Sequence, residues 1–276
     1  MSVSEEPCIK MINTAVEPRL GRVRHALFDF DGTLSVLRQG WEPVMESVML
    51  EAICAGREPW PELVSEVRQY IDTSTGQLTI IQMEWLAEAV RRYGLAADPL
   101  TPAEYKRLYR DAIMVSVSER LDRVASGQES PDTYLMTGSA EFLRELAGRG
   151  VKMYMASGSD HVDVVHEAEV LGLAPYLNGG IYGALDASAA NAKARIIQRI
   201  LDDHQLSGSE LLVVGDGPVE IIEARARGAI ALGMASDEVQ RRGWNTHKIE
   251  RLTRAGADLL IPDFSCSSEL VGLLVS

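Results

Sequence analysis

Short apolar runs recur along the chain with turn residues on either side. They lie at His25–Phe30, Val151–Ala156, Leu211–Gly215, Ala229–Met234 and Asp258–Ile261. Runs of this length, without polar alternation, predict strands covered on both faces. Between them the apolar positions switch to helical spacing, over Ala140–Arg149, His161–Gly172, Asn191–His204 and Val219–Gly228. Strand alternating with helix predicts an α/β fold, a doubly wound parallel sheet of Rossmann-like type with helices on both faces. In such sheets ligands bind at the carboxyl ends of the strands.

The stretch 37–131 breaks this rhythm. It offers no strand pattern, but Met83, Leu86, Val90 and Tyr93 recur at helical spacing, as do Tyr105, Leu108, Tyr109 and Ala112. Pro59, Pro61, Pro99 and Pro102 mark the breaks. The pattern predicts a helical domain inserted into a core made of residues 22–36 and 132–276. Residues 1–21 form an N-terminal extension without a clear structural signal.

The first strand ends in Leu27-Phe28-Asp29-Phe30-Asp31-Gly32-Thr33-Leu34. In extended chain, residues i and i+2 face the same side, so Asp29 and Asp31 share a face beside an apolar core. Two carboxylates so placed call for a cation, or for a division of labour between acid and base. An Asp-Gly pair also makes ordinary Asx turns. Gly32 and Thr33 offer a tight turn and backbone N–H groups for an anion.

Three further features fall at carboxyl ends of expected strands or at helix starts. Ser157 and Gly158 end the second strand just before an expected helix, where a hydroxyl and N–H groups suit a phosphate oxygen or an ordinary cap. Lys193 lies in the first turn after Asn191, an expected N-cap, where a cation opposes the helix dipole; a phosphate to neutralise would explain it, and a solvated surface lysine is the plainer alternative. Asp216 ends the strand Leu211–Gly215, and Gly217-Pro218 suits a helix cap and first turn, with Glu220 following.

Composition narrows the partners. The 276-residue chain carries a formal net charge of −13, which disfavours nonspecific nucleic-acid binding. No apolar run is long enough to span a bilayer, and the acidic N-terminus is unlike a signal peptide, so a cytoplasmic protein is expected. Cys8, Cys54 and Cys266 have no metal-ligand spacing and are expected to be unpaired thiols in a reducing compartment.

The order Asp-x-Asp-Gly-Thr, then Ser, then Lys, then Gly-Asp resembles the haloacid dehalogenase superfamily of phosphatases and phosphomutases, from about Arg22 to the C-terminus. The resemblance implies a nucleophile at Asp29, a general acid/base at Asp31, phosphate-binding groups at Gly32, Thr33, Ser157, Gly158 and Lys193, and Mg2+ ligands at Asp29, Asp31 (through its carbonyl) and Asp216. Glu220 occupies a position where the family usually has aspartate, within reach of the metal through water. The insertion resembles the family's helical cap. The function implied is Mg2+-dependent hydrolysis of a small phosphorylated metabolite, such as a sugar phosphate, with no nucleic-acid or membrane partner. A phosphomutase or a non-catalytic phosphometabolite-binding protein are the alternatives. Phosphonate hydrolysis would need a cap lysine; Lys106 is alone there, beside Arg107 and Arg110, and is expected on a solvated helical face.

Overall fold

The computed structural model describes residues 7–184 and 192–276. Its strands are β1 (Lys10–Met11), β2 (His25–Phe28), β3 (Lys152–Asp160), β4 (Gly180–Ala184), β5 (Leu211–Gly215), β6 (Ile230–Met234) and β7 (Leu259–Ile261). They form one seven-stranded sheet in the order β1-β7-β6-β5-β2-β3-β4, parallel throughout except for β1 against β7. Successive strands leave β2 first to one side and then to the other, so the chain reverses beside β2. That reversal opens a crevice at the carboxyl ends of β2, β3 and β5.

The period of two along each strand builds two apolar layers. Ala26, Phe28, Met153, Met155, Leu212 and Val214 face one layer, with the helices α5 (Ser139–Gly148), α6 (His161–Val170) and α10 (Ser267–Leu274). Leu27, Tyr154, Ala156, Leu211 and Val213 face the other, with α7 (Ala192–Asp203), α8 (Pro218–Ala226) and α9 (Thr246–Ala255). Both faces are covered, as the unbroken apolar runs predict. The remaining helices are α1 (Trp41–Cys54), α2 (Pro61–Thr73), α3 (Thr79–Tyr93) and α4 (Pro102–Ala125), all between β2 and α5. Thr101 caps α4 in a capping box with Glu104.

The structure departs from the sequence reading in several places. Strand β4 was not expected; its half-buried Gly-Ile-Tyr-Gly-Ala stretch carries little apolar signal. The two-residue β1 is too short to show a period. Helices α9 and α10 were also unexpected. Cys8 and Cys266 are joined in a disulfide, with Cα atoms 6.4 Å apart, and only Cys54 is a free, buried thiol. Pairing of β1 with β7 brings Cys8 to the start of α10, a proximity that sequence spacing cannot show. This removes the basis on which a reducing compartment was expected. No helix among the described residues is long and apolar enough to cross a membrane.

Candidate active site

Asp29 follows β2 directly, and its N–H extends the ladder to Val214 O at 2.8 Å. Phe28 and Phe30 turn into the apolar layer, which leaves Asp29 and Asp31 on the opposite parity, toward the crevice. The turn after Asp31 needs a left-handed residue, and Gly32 supplies it at φ +72°. A Cβ on Gly32 would meet Asp216 Oδ2 at 2.6 Å, so the glycine also lets Asp216 approach. The N–H groups of Gly32 and Thr33 do not point free toward an anion. Gly32 N–H donates to Ser35 O at 2.8 Å and Thr33 N–H to Phe30 O at 3.3 Å, because the turn closes on itself. The Thr33 hydroxyl is buried without a hydrogen-bond partner.

Ser157 lies in β3, as expected, and α6 starts at His161, but the strand does not end at Ser157. The strand runs on to Asp160, and a register shift against β4 between Ala156 and Asp160 holds Ser157, Gly158 and Ser159 at the crevice. Ser157 Oγ donates to Asp31 Oδ2 at 3.4 Å and accepts from Ser159 N–H at 3.1 Å. Gly158 is in contact with the insertion: a Cβ there would meet Gln77 O at 2.4 Å.

Lys193 is buried in the first turn of α7, with its Nζ donating to Asp29 Oδ1 at 2.6 Å and to Glu220 Oε1. Asn191, its expected cap, lies outside the described residues. Burial works against the Lys193 ammonium, but Asp29 and Glu220 hold its pKa above the ordinary lysine value. Glu220, in the first turn of α8, is therefore committed through one oxygen to Lys193; its Oε2 is buried without a partner. Gly217 and Pro218 open α8 as expected.

The carboxylates around Gly32 outnumber the ammonium groups. Burial raises the Asp29 pKa well above the usual carboxylate range, and Glu220 and Asp216 add to the rise while Lys193 opposes it. Burial likewise raises Asp31, against the pull of Arg38. Asp31 Oδ1 is buried and lacks a hydrogen bond. Surplus negative charge and oxygen donors are the chemistry a magnesium ion takes; Asp29, Asp216 and the Asp31 carbonyl are the groups that could hold one.

Several site residues were missed or left vague by the sequence. Lys248 donates to Asp216 Oδ2 at 2.7 Å and to Glu238 Oε1 at 2.5 Å. It sits in the first turn of α9, whose cap Asn245 accepts its N–H. That is the same anomaly, a first-turn cation, that marked Lys193, and it was legible in Asn245-Thr246-His247-Lys248. Arg251 joins Asp216 O at 3.0 Å to Asp72 of α2 at 2.7 Å. Arg38 is buried and forks onto Glu167, 129 residues away, which no local pattern reveals. Lys106 is not on a solvated face: it is ion-paired to Asp160 between α4 and α6 and does not line the crevice chamber.

The chamber is small, about 70 Å³, and joins Asp29, Asp31, Ser157, Lys193 and Asp216 to Thr75, Gln77, Gln82 and Tyr109 from the insertion. The loop between α2 and α3 roofs it. A Cβ on Gly76 (φ +87°) would meet Glu220 Oε1 at 2.6 Å, so this loop lies against the acid cluster.

Solved structures share this fold at low identity. A predicted phosphoglycolate phosphatase from Haemophilus somnus has a TM-score of 0.60 and 15% identity, covering 91% of this chain and 98% of its own. A predicted phosphatase from Clostridium acetobutylicum has a TM-score of 0.59 and 17% identity, covering 91% and 99%. A haloacid dehalogenase family hydrolase from Deinococcus radiodurans, with bound phosphate and sodium, has a TM-score of 0.54 and 18% identity, covering 93% and 100%. No curated protein matches the chain. The family model for haloacid dehalogenase-like hydrolases matches residues 23–228, and the chain belongs to that family.

Proposed function

We propose that the protein is a magnesium-dependent phosphomonoesterase that works through an aspartyl-phosphate on Asp29. The carrying observation is the bond from Lys193 Nζ to one oxygen of Asp29, 2.6 Å long, inside a chamber that also holds Asp31 and Ser157. Lys193 favours the ionised carboxylate against the effect of burial, and leaves the other oxygen of Asp29 to attack phosphorus in line. As that bond forms, the bond to the leaving oxygen breaks, and Asp31 delivers the proton the leaving oxygen needs. Burial raises the Asp31 pKa, which suits a group that must carry a proton near neutral pH. In the second half-reaction Asp31 takes a proton from water as the water attacks phosphorus, and Asp29 is released. Ser157 Oγ and Lys193 Nζ donate to the phosphoryl oxygens. A bound magnesium ion would screen the repulsion between nucleophile and phosphate.

The chamber's volume supports a compact substrate. Its 70 Å³ holds on the order of five water-sized positions, enough for a phosphate and a short remnant. A sugar phosphate would require the insertion to lift. Turnover of p-nitrophenyl phosphate with and without magnesium, followed by a panel of phosphorylated metabolites of increasing size, tests the reading. The expected result is magnesium-dependent release of phosphate with preference for the smallest substrates. Absence of turnover across the panel would favour the binding-protein alternative.

A further inference from the structure

Arg38 and Glu167 form a buried pair in contact with the reaction chamber. The backbone of Arg38 is fixed on both sides, because Arg120 Nη1 donates to Leu37 O at 2.5 Å and to Gln39 O at 3.1 Å. Its guanidinium forks onto Glu167, with Nε donating to Oε2 at 3.1 Å and Nη2 to Oε1. Glu167 on α6 is fully buried, and Arg38 is 6% exposed. Burying an ion pair is expensive, and apolar residues of similar volume often serve packing as well or better. Packing alone therefore gives this pair no reason to exist.

The neighbour of the pair supplies one. Arg38 Nε lies 3.7 Å from Asp31 Oδ1, the buried oxygen that has no hydrogen bond. The other oxygen, Oδ2, faces Ser157 Oγ at 3.4 Å and Ser159 Oγ at 3.5 Å. The single Nε–H is already donated to Glu167 Oε2, so the guanidinium acts on Asp31 Oδ1 as a close positive charge, an ion pair at 3.7 Å that favours this oxygen facing Arg38.

We infer that Arg38, aimed by Glu167, is the positioning residue for Asp31: it engages Oδ1 and so presents Oδ2, beside Ser157, to the leaving-group oxygen. This rests on the phosphatase reading above, in which Asp31 protonates that oxygen. Arg38 lines the same chamber, and the role inferred for it is through Asp31. Its fork is what makes the geometry specific, and lysine would keep the charge but not the fork.

The test is dependence on the leaving group. An alkyl phosphate needs protonation as it departs, and p-nitrophenyl phosphate does not. Asp31→Asn should lower kcat/KM on the alkyl substrate roughly a hundred- to ten-thousand-fold, and much less on the nitrophenyl one. Arg38→Gln should shift the ratio of the two in the same direction, by at least about ten-fold, with Arg38→Lys intermediate and Glu167→Gln smaller. In the Asp31→Asn background, adding Arg38→Gln should cause no further loss on the alkyl substrate, since the two act as one unit. If Arg38→Gln unfolds the protein, the paired change Arg38→Met with Glu167→Leu keeps the core apolar and reads the same ratio. Equal losses on both substrates in the Arg38 variants, or additive losses in the double variant, would overturn the inference. Equal losses in Asp31→Asn alone would overturn the phosphatase reading and the inference with it.

Discussion

Lys193 Nζ sits between Asp29 and Glu220, 2.6 Å from Asp29 Oδ1, with all three side chains buried. Among the described residues neither acid has another ion-pair partner. Lys193→Met should therefore reduce kcat roughly a hundred- to a thousand-fold, the range for removing one preorganised donor. It should also cost on the order of 3–5 kcal/mol of stability, because two buried carboxylates lose their partner. Steady-state kinetics with a denaturant titration separates the two effects. A stable variant with unchanged kcat would remove Lys193 from the mechanism.

Gly158 tests how the insertion acts on the site. Its φ is not in the left-handed region, so alanine fits the local backbone, but the new Cβ would lie 2.4 Å from Gln77 O. The α2–α3 loop must shift, and with it the roof of the chamber. Gly158→Ala should lower kcat/KM on a preferred substrate roughly ten- to a hundred-fold, as small misplacements near reacting groups do. A panel of substrates of different size should lose its ranking. An unchanged ranking would show that the roof does not select the leaving group.

The first and fourth elements of the site were legible because each sits on a strand. Asp29 and Asp31 end an apolar run whose period of two fixes their shared face, and Asp216 ends another. Lys193 was marked by a local conflict, a cation in a first turn. Lys248 carried the same mark and went unread because α9 is mostly polar, with few apolar positions to announce a helix. The disulfide and the Arg38–Glu167 pair were not legible at all. Both join residues far apart in sequence, 258 and 129 positions, through contacts that only the finished fold creates. The amides of Gly32 and Thr33 show the opposite error: the turn was foreseen, but not that it closes on its own N–H groups.

Metal dependence should follow the acid cluster. Chelation should abolish turnover, magnesium should restore it, and calcium should substitute poorly because its longer, looser coordination misplaces the nucleophile. Asp216→Ala should raise the magnesium concentration needed for half-maximal activity far more than Glu220→Gln does, if Glu220 reaches the metal only through water. Magnesium titration by calorimetry checks this directly. A larger effect from Glu220→Gln would make Glu220 a direct ligand.

At the opposite end of the sheet, His25 opens β2 with its Nδ1 3.0 Å from Tyr154 Oη, its ring stacked on Tyr154 and tilted against His204 at 4.5 Å between centroids. Burial, then the neighbouring His204, Lys152 and Arg24, lower its pKa to about 4. The folded protein thus refuses a proton that the unfolded chain accepts near pH 6.5. Its share of stability is complete above pH 6.5 and is lost as pH falls toward 4. A histidine proton titration by NMR should find His25 neutral at pH 5. His25→Asn should flatten the stability slope between pH 6.5 and 4; an ordinary titration near 6.5 would contradict the burial argument.

Phosphoryl transfer to Asp29 is the step on which the proposed mechanism turns. Rapid quenching during turnover, borohydride reduction of any acyl phosphate and peptide mapping would locate it. Reduction is expected at Asp29, dependent on both substrate and magnesium, and absent in a folded Asp29→Asn variant that has lost turnover. Steady turnover with no modification at Asp29, or normal activity in folded Asp29→Asn, would contradict it.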